Sequence, residues 1–125
     1  MPARILIVDD NPTNLKLVSY LVKAQGYEVF TALDAETAVV EIREHRPRLI
    51  LMDIQLPGID GLELTRQLKA DPVTRDILIV AVTAYAMKGD QDKATEAGCD
   101  AYVTKPIDTR LLPQTIANLL ATGVA

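Results

Sequence analysis

Five polar residues could do chemistry together, and each follows or ends a short apolar run. Asp9 and Asp10 follow Ile5-Leu6-Ile7-Val8, Asp53 follows Leu49-Ile50-Leu51-Met52, Thr83 follows Ile77 to Val82, and Lys105 follows Ala101 to Thr104. Three carboxylates brought together repel one another, which raises a pKa or destabilises the fold unless a cation compensates. A divalent cation meets that need. Oxygen-only ligands, with room for waters and a phosphate oxygen and no Cys or His cluster in competition, favour magnesium over zinc.

Taken singly, each residue also has an ordinary structural explanation. An Asp after a strand is most often a turn-former or a helix cap, and Asp9, Asp10 and Asp53 could each be one. Thr83 could be a strand-end hydroxyl. Lys105 could be a solvated lysine, although its place between a buried strand and Pro106 argues against free solvation. What chance explains poorly is the joint pattern, an acidic pair, a lone acid, a hydroxyl and a lysine at the ends of successive apolar runs.

The elements that must position these residues follow from the alternation of two periods. The four runs above, together with Tyr27 to Thr31, are rich in β-branched residues, and the continuous ones suit strands buried on both faces. Between them lie helically spaced apolar residues: Leu15, Val18, Leu21 and Val22; Ala38, Val39 and Ile42; Leu64 and Leu68; Leu112, Ile116, Leu119 and Leu120. Another helix, Met87 to Ala97, offers only Met87, Ala94 and Ala97 as a small apolar face and is expected to be the most loosely attached. Asn11 with Pro12 and Asp34 are expected to cap the first two helices, and Asp60 with Glu63 makes a capping-box pattern for the third. Gly26, Pro47 and Gly98 are expected to close helices. Pro113, near the fourth position of the last helix, conflicts with this pattern because it removes a hydrogen bond and should bend the first turn.

Alternating strands and helices imply parallel strands joined by right-handed crossovers. The expected fold is a doubly wound α/β domain, a five-stranded parallel sheet of order 2-1-3-4-5 with helices on both faces. In such sheets ligands bind at the carboxyl ends of the strands, where the strand order reverses, and all five polar residues fall on that edge.

Composition narrows the function classes. The chain has 125 residues, 49% of them hydrophobic, enough for one aliphatic core. A single domain spanning 1–125 with no output domain is expected. The net charge of -4 argues against a nucleic-acid partner, because duplex binding depends on Lys and Arg neutralising phosphates. The one cysteine, Cys99, cannot close an internal disulfide and reads as a small, partly buried filler. No signal peptide is evident, and the longest apolar run is far below the roughly 18 residues that span a bilayer, so a soluble, cytoplasmic protein is expected. His45 suits a cation at a helix C-terminus better than a catalytic base. Neither a P-loop nor a G-x-S-x-G elbow is present, so nucleotidase and hydrolase readings lack a motif.

The motifs Val8-Asp9-Asp10-Asn11, Leu51-Met52-Asp53-Ile54-Gln55-Leu56-Pro57, Val82-Thr83-Ala84 and Thr104-Lys105-Pro106 resemble those of the receiver domain of bacterial two-component response regulators. The similarity runs from Ile5 to about Leu120, and Met52 to Pro57 and Val82 to Asp90 resemble stand-alone cell-cycle regulators in particular. The resemblance implies a CheY-like, flavodoxin-like fold. It implies that Asp53 is the phosphoacceptor, that Asp10, Asp53 and the carbonyl of Gln55 bind magnesium with Asp9 assisting through water, and that Lys105 and Thr83 contact the phosphoryl group. Ala84 would leave space beside that group, and the Lys105-Pro106 bond would be cis. Tyr102 matches the family's switch aromatic, although it reads equally well as half-buried core. Gln55 and Tyr85 would tune hydrolysis of the acyl phosphate.

The implied partners are a histidine kinase, a histidine phosphotransfer protein, or both, with a target protein on the face made by the fourth helix, fifth strand and fifth helix. A monomer or weak dimer is expected, as is slow self-phosphorylation and dephosphorylation. Three functions stay open at this level: a stand-alone binding switch, a phosphorelay intermediate, and the receiver of a hybrid histidine kinase. A magnesium-dependent phosphatase is disfavoured because position 11 is Asn, after an adjacent acidic pair, rather than a second Asp two residues after the first.

Overall fold

A computed structural model describes residues 3–54, 61–83, 88–105 and 107–122. Strands β1 (Arg4–Val8), β2 (Glu28–Ala32), β3 (Leu49–Asp53), β4 (Leu78–Thr83) and β5 (Ala101–Thr104) alternate with helices α1 (Pro12–Ala24), α2 (Ala35–His45), α3 (Gly61–Ala70), α4 (Lys88–Ala97) and α5 (Leu111–Thr122). The strands form one parallel sheet in the order β2-β1-β3-β4-β5. This is the doubly wound architecture expected from the alternation of periods.

The continuous apolar runs split by parity into two cores. Leu6, Val8, Ile50, Met52 and Ile79 pack with Ala38 and Ile42 of α2 and with Leu64 and Leu68 of α3. Ile5, Ile7, Leu49, Leu51, Val80 and Val82 pack with Val18 and Val22 of α1 and with Leu112 and Ile116 of α5. Every residue of β3 is buried. Such strands can form only between two covering layers, because a period-2 chain that is apolar at every position has no face to give to water. Helix α4 contacts α3 and β5, and it buries Ala94 and Ala97, the small apolar face read from its sequence.

Helix boundaries follow local chemistry. The Asn11 side chain accepts from the Thr13 and Asn14 amides, and Asp34 accepts from Thr37, so both caps form. The Thr37 bond holds the Asp34 carboxyl below its usual range. Gly26 and Gly98 take left-handed conformations after α1 and α4. Helix α2 instead ends through Arg46 at φ 46, ψ 66. Pro47 disfavours a right-handed helical Arg46, and the left-handed turn lets the Arg46 amide still donate to the Ile42 carbonyl. In the last helix, Asp108 accepts the Arg110 and Leu111 amides on its side chain and the Leu112 amide on its carbonyl. Pro113, which has no amide hydrogen, cannot donate to the carbonyl of Thr109, and the regular helix starts at Leu111.

Among the described residues, no helix is long and apolar enough to cross a membrane. The Asp60 cap, Met87 and the Lys105-Pro106 bond lie outside the described residues or involve one that does.

Candidate functional site: an acidic cluster at the carboxyl edge of the sheet

Register brings the five polar residues to one edge. Val8 pairs with Met52, so Asp9 and Asp53 leave adjacent strands at the same level. Asp53 pairs with Val82, and Thr83 with Thr104, which sets Thr83 and Lys105 one step further along. Three ladder bonds continue past the strand ends and fix the backbone there: Asp9 amide to Ala32 carbonyl at 3.1 Å, Ile54 amide to Val82 carbonyl at 3.1 Å, and Lys105 amide to Thr83 carbonyl at 2.7 Å.

Asp9, Asp10 and Asp53 each place a carboxylate oxygen within 4.8 Å of the others. Asp9 and Asp53 are buried, at 3% and 2% exposure, whereas Asp10 faces solvent. At an effective dielectric of about 20, two unit negative charges at this spacing repel by roughly 3.5 kcal/mol or more. Lys105 offsets part of this repulsion. Its Nζ lies 3.0 Å from Asp53 Oδ2 and 3.5 Å from Asp9 Oδ2. Burial alone would pull the Lys105 pKa down, but the hydrogen bond and charge of Asp53, then those of Asp9, outweigh it and hold the ammonium above its usual range.

Asp9 is held from both sides of its loop. Its Oδ1 accepts the Asn11 amide at 2.9 Å, and its Oδ2 accepts the Asn14 side-chain amide. The turn-forming role expected of an Asp after a strand is therefore real for Asp9, and it coexists with membership of the cluster. Among the described residues, one cation against three carboxylates leaves an excess of negative charge in a site open through Asp10. The donor set is all oxygen, and its spacing fits a small divalent cation that keeps several waters.

Thr83 is fully buried at the end of β4. Tyr102, opposite Ala81 in register, is half-buried and lines a cavity of about 380 Å³ between β5 and α5, with Leu111 and Thr115 on the far wall. Gln55, Ala84 and Tyr85 lie outside the described residues.

Two site-shaping residues escaped sequence reasoning. Asn14 carries a cap-like side chain on the first turn of α1, and its position five residues after Asp9 was the available signal. Gly61 opens α3 with its amide 3.3 Å from the Ile54 carbonyl, and a Cβ there would stand 2.3 Å from the Asp53 carbonyl oxygen. A poor helix former at a helix start was the signal for Gly61.

The weaker candidates belong elsewhere. His45 lies at the C-terminus of α2, where its ring stacks on Phe30 at 3.9 Å and its Nε2 lies 3.2 Å from Glu41. Cys99 is partly buried against the α2/α3 core, and that burial pushes its thiol pKa up, away from a reactive thiolate.

Comparison with known proteins gives a consistent picture. Residues 5–117 match the family model described as "Response regulator receiver domain". The chain is similar to the polar-differentiation response regulator DivK of Brucella anthropi, 48% identical over 120 residues, which cover 96% of this chain and 98% of that protein. It is 46% identical to DivK of Brucella ovis over the same shares. Among solved structures, a putative response regulator from Chloroflexus aurantiacus superposes with a TM-score of 0.93 at 32% identity, over 97% of this chain and 99% of that one. The receiver domain of a sensor histidine kinase from Pseudomonas aeruginosa, described with a magnesium ion coordinated in its active-site cleft, superposes with a TM-score of 0.87, also at 32% identity and over 97% and 99% of the two chains.

Proposed function

The chain belongs to the response regulator receiver domain family, and on that premise we propose that it is a phosphorylation switch: Asp53 accepts a phosphoryl group from the phosphohistidine of a histidine kinase in a magnesium-dependent step, and the phosphorylated form signals by binding a partner protein. The observation that carries this reading is the buried Asp53 carboxylate held 3.0 Å from Lys105 Nζ inside a three-carboxylate cluster. A carboxylate with these neighbours is oriented beside an ammonium group, in a cluster whose all-oxygen donors suit a divalent cation.

Asp53 attacks phosphorus through a carboxylate oxygen. The new oxygen–phosphorus bond forms as the phosphorus–nitrogen bond to the donor imidazole breaks, and the imidazole keeps that electron pair. Asp10, Asp53 and the Gln55 carbonyl would hold magnesium, with Asp9 acting through water. When bound, the metal supplies positive charge that draws donor phosphate and nucleophile together. Lys105 keeps its charge throughout and turns from the Asp53 carboxylate to a phosphoryl oxygen. Thr83, at the end of the neighbouring strand, donates its hydroxyl to another. By the family resemblance, Ala84 would leave room for the group, and Gln55 and Tyr85 would set how readily water reaches it.

The phosphoryl group adds nearly two negative charges at a buried position. Thr83 moves toward it, and Tyr102 turns inward from the cavity it lines between β5 and α5. The face made by α4, β5 and α5 then changes shape, and it is the surface on which a target would sense the change. The close similarity to DivK proteins supports a place in polar-differentiation signalling.

The test uses a panel of histidine kinases carrying radiolabelled phosphohistidine. Label is expected to pass to the protein only with magnesium, to persist on Asp53, and to raise affinity for a kinase or other target. Rapid drainage of the label to a histidine phosphotransfer protein, with no gain in target affinity, would replace the switch with a relay role. Failure of every kinase to transfer would remove both.

A further inference from the structure

We propose that Asn14 is a positioning residue that sets the cation affinity of the acidic cluster, acting through Asp9: it satisfies that carboxylate with a neutral donor and so leaves the negative charge of the cluster for a divalent cation. The proposal rests on the reading that the cluster binds magnesium. Its geometry is a closed ring of three residues. Asp9 Oδ1 accepts the Asn11 amide at 2.9 Å, Asn11 Oδ1 accepts the Asn14 amide at 3.2 Å, and the Asn14 side-chain amide donates back to Asp9 Oδ2. The Asn11 side chain also caps α1, so the start of the helix and the placing of Asn14 against Asp9 are one arrangement. An ionised carboxylate only accepts, so the Asn14 group that meets it is the NH2. Asp9 is buried, and little water reaches it to replace this donor.

Asp9 Oδ2 has a second neighbour. Lys105 Nζ lies 3.5 Å from it but 3.0 Å from Asp53 Oδ2, so the ammonium group leans toward Asp53. With Asn14 on Asp9, the lysine is left to the Asp53 carboxylate. Both buried carboxylates are thus hydrogen-bonded, and only one of the two side-chain donors brings charge. A lysine at position 14 could also donate to Asp9, but it would cancel negative charge that holds a cation. An apolar residue there would leave Asp9 Oδ2 short of a donor in the metal-free protein. A hydrated cation removes that cost, because it brings positive charge and water donors to the same carboxylate. The two kinds of substitution therefore move cation affinity in opposite directions.

The experiment is calorimetric magnesium titration together with urea denaturation of the metal-free protein, on wild type, Asn14→Leu and Asn14→Lys. Asn14→Leu is expected to lower the metal-free urea midpoint yet to bind magnesium about tenfold more tightly, the factor that goes with a hydrogen bond to a charged group. Asn14→Lys should bind magnesium about tenfold more weakly, with a smaller loss of midpoint. The lysine variant, which keeps a donor for Asp9, carries the test if the leucine variant does not fold. A purely structural role for Asn14 would lower midpoint and affinity together, most of all in Asn14→Leu. That result, or magnesium affinities equal to that of wild type, would overturn the proposal and leave the magnesium reading in place. Absence of magnesium binding by wild type would overturn both.

Discussion

Gly61→Ala is expected to destabilise the fold by about 2 to 4 kcal/mol and to weaken cation binding at the acidic cluster. The added Cβ would lie 2.3 Å from the Asp53 carbonyl oxygen and 2.8 Å from the Ile54 Cα. Both atoms are backbone, so no rotamer change relieves the clash. Either α3 moves away from the end of β3, or β3 shifts and takes Asp53 with it. The first route opens the core at Leu64 and Leu68, which pack against Ile50 and Met52. The second spoils the register of Asp53 with Val82. Urea denaturation and calorimetric magnesium titration measure the two losses. Wild-type values for both would mean that Gly61 does not position the site.

Lys105→Met is expected to destabilise the metal-free protein by about 2 to 3 kcal/mol. Removing one partner of a buried ion pair leaves an uncompensated charge that costs about 3 to 5 kcal/mol, and the partial exposure of Lys105 reduces that cost. Here the carboxylates that lose their cationic neighbour are Asp9 and Asp53, both buried. Magnesium should restore part of the loss, since a cation bound among the same carboxylates replaces the missing charge. The urea midpoint of the variant is therefore expected to rise more with magnesium than that of wild type. Equal responses would argue that Lys105 and the cation do not share their partners. The pH dependence follows from the raised Lys105 pKa. Its stabilisation is complete below the ordinary lysine value of 10.5 and is lost as pH rises through the higher folded value. Wild type should weaken in that alkaline window, and the variant should lack that component.

Much of this architecture could be read from the chain because its strands are apolar without alternation. A run such as Leu49-Ile50-Leu51-Met52 is stable only as a doubly covered strand, so the layers follow, and with them the edge on which Asp9, Asp53, Thr83 and Lys105 emerge. What stayed illegible depends on contacts between elements. A glycine at a helix start and an asparagine five residues after Asp9 are only faint local signals, and neither reveals that Gly61 presses against Asp53 or that Asn14 donates to Asp9. Lys69 is a similar case. Its Nζ bonds the Ile77 carbonyl at 2.8 Å, the Arg75 carbonyl at 3.2 Å and Asp100 Oδ2 at 3.0 Å, tying the end of α3 to the segment before β4 and to the turn before β5. Periodicity places it only on a helix. Arg46 shows the opposite limit, since a proline alone at position 47 does not reveal that a non-glycine residue takes the left-handed turn.

The most direct measurement is the intact mass of the protein after incubation with acetyl phosphate, with and without magnesium. Wild type should gain one phosphoryl group only when magnesium is present, and Asp53→Asn should gain none. Phosphorylation that survives the substitution, or that proceeds equally without magnesium, would contradict Asp53 as the metal-assisted phosphoacceptor.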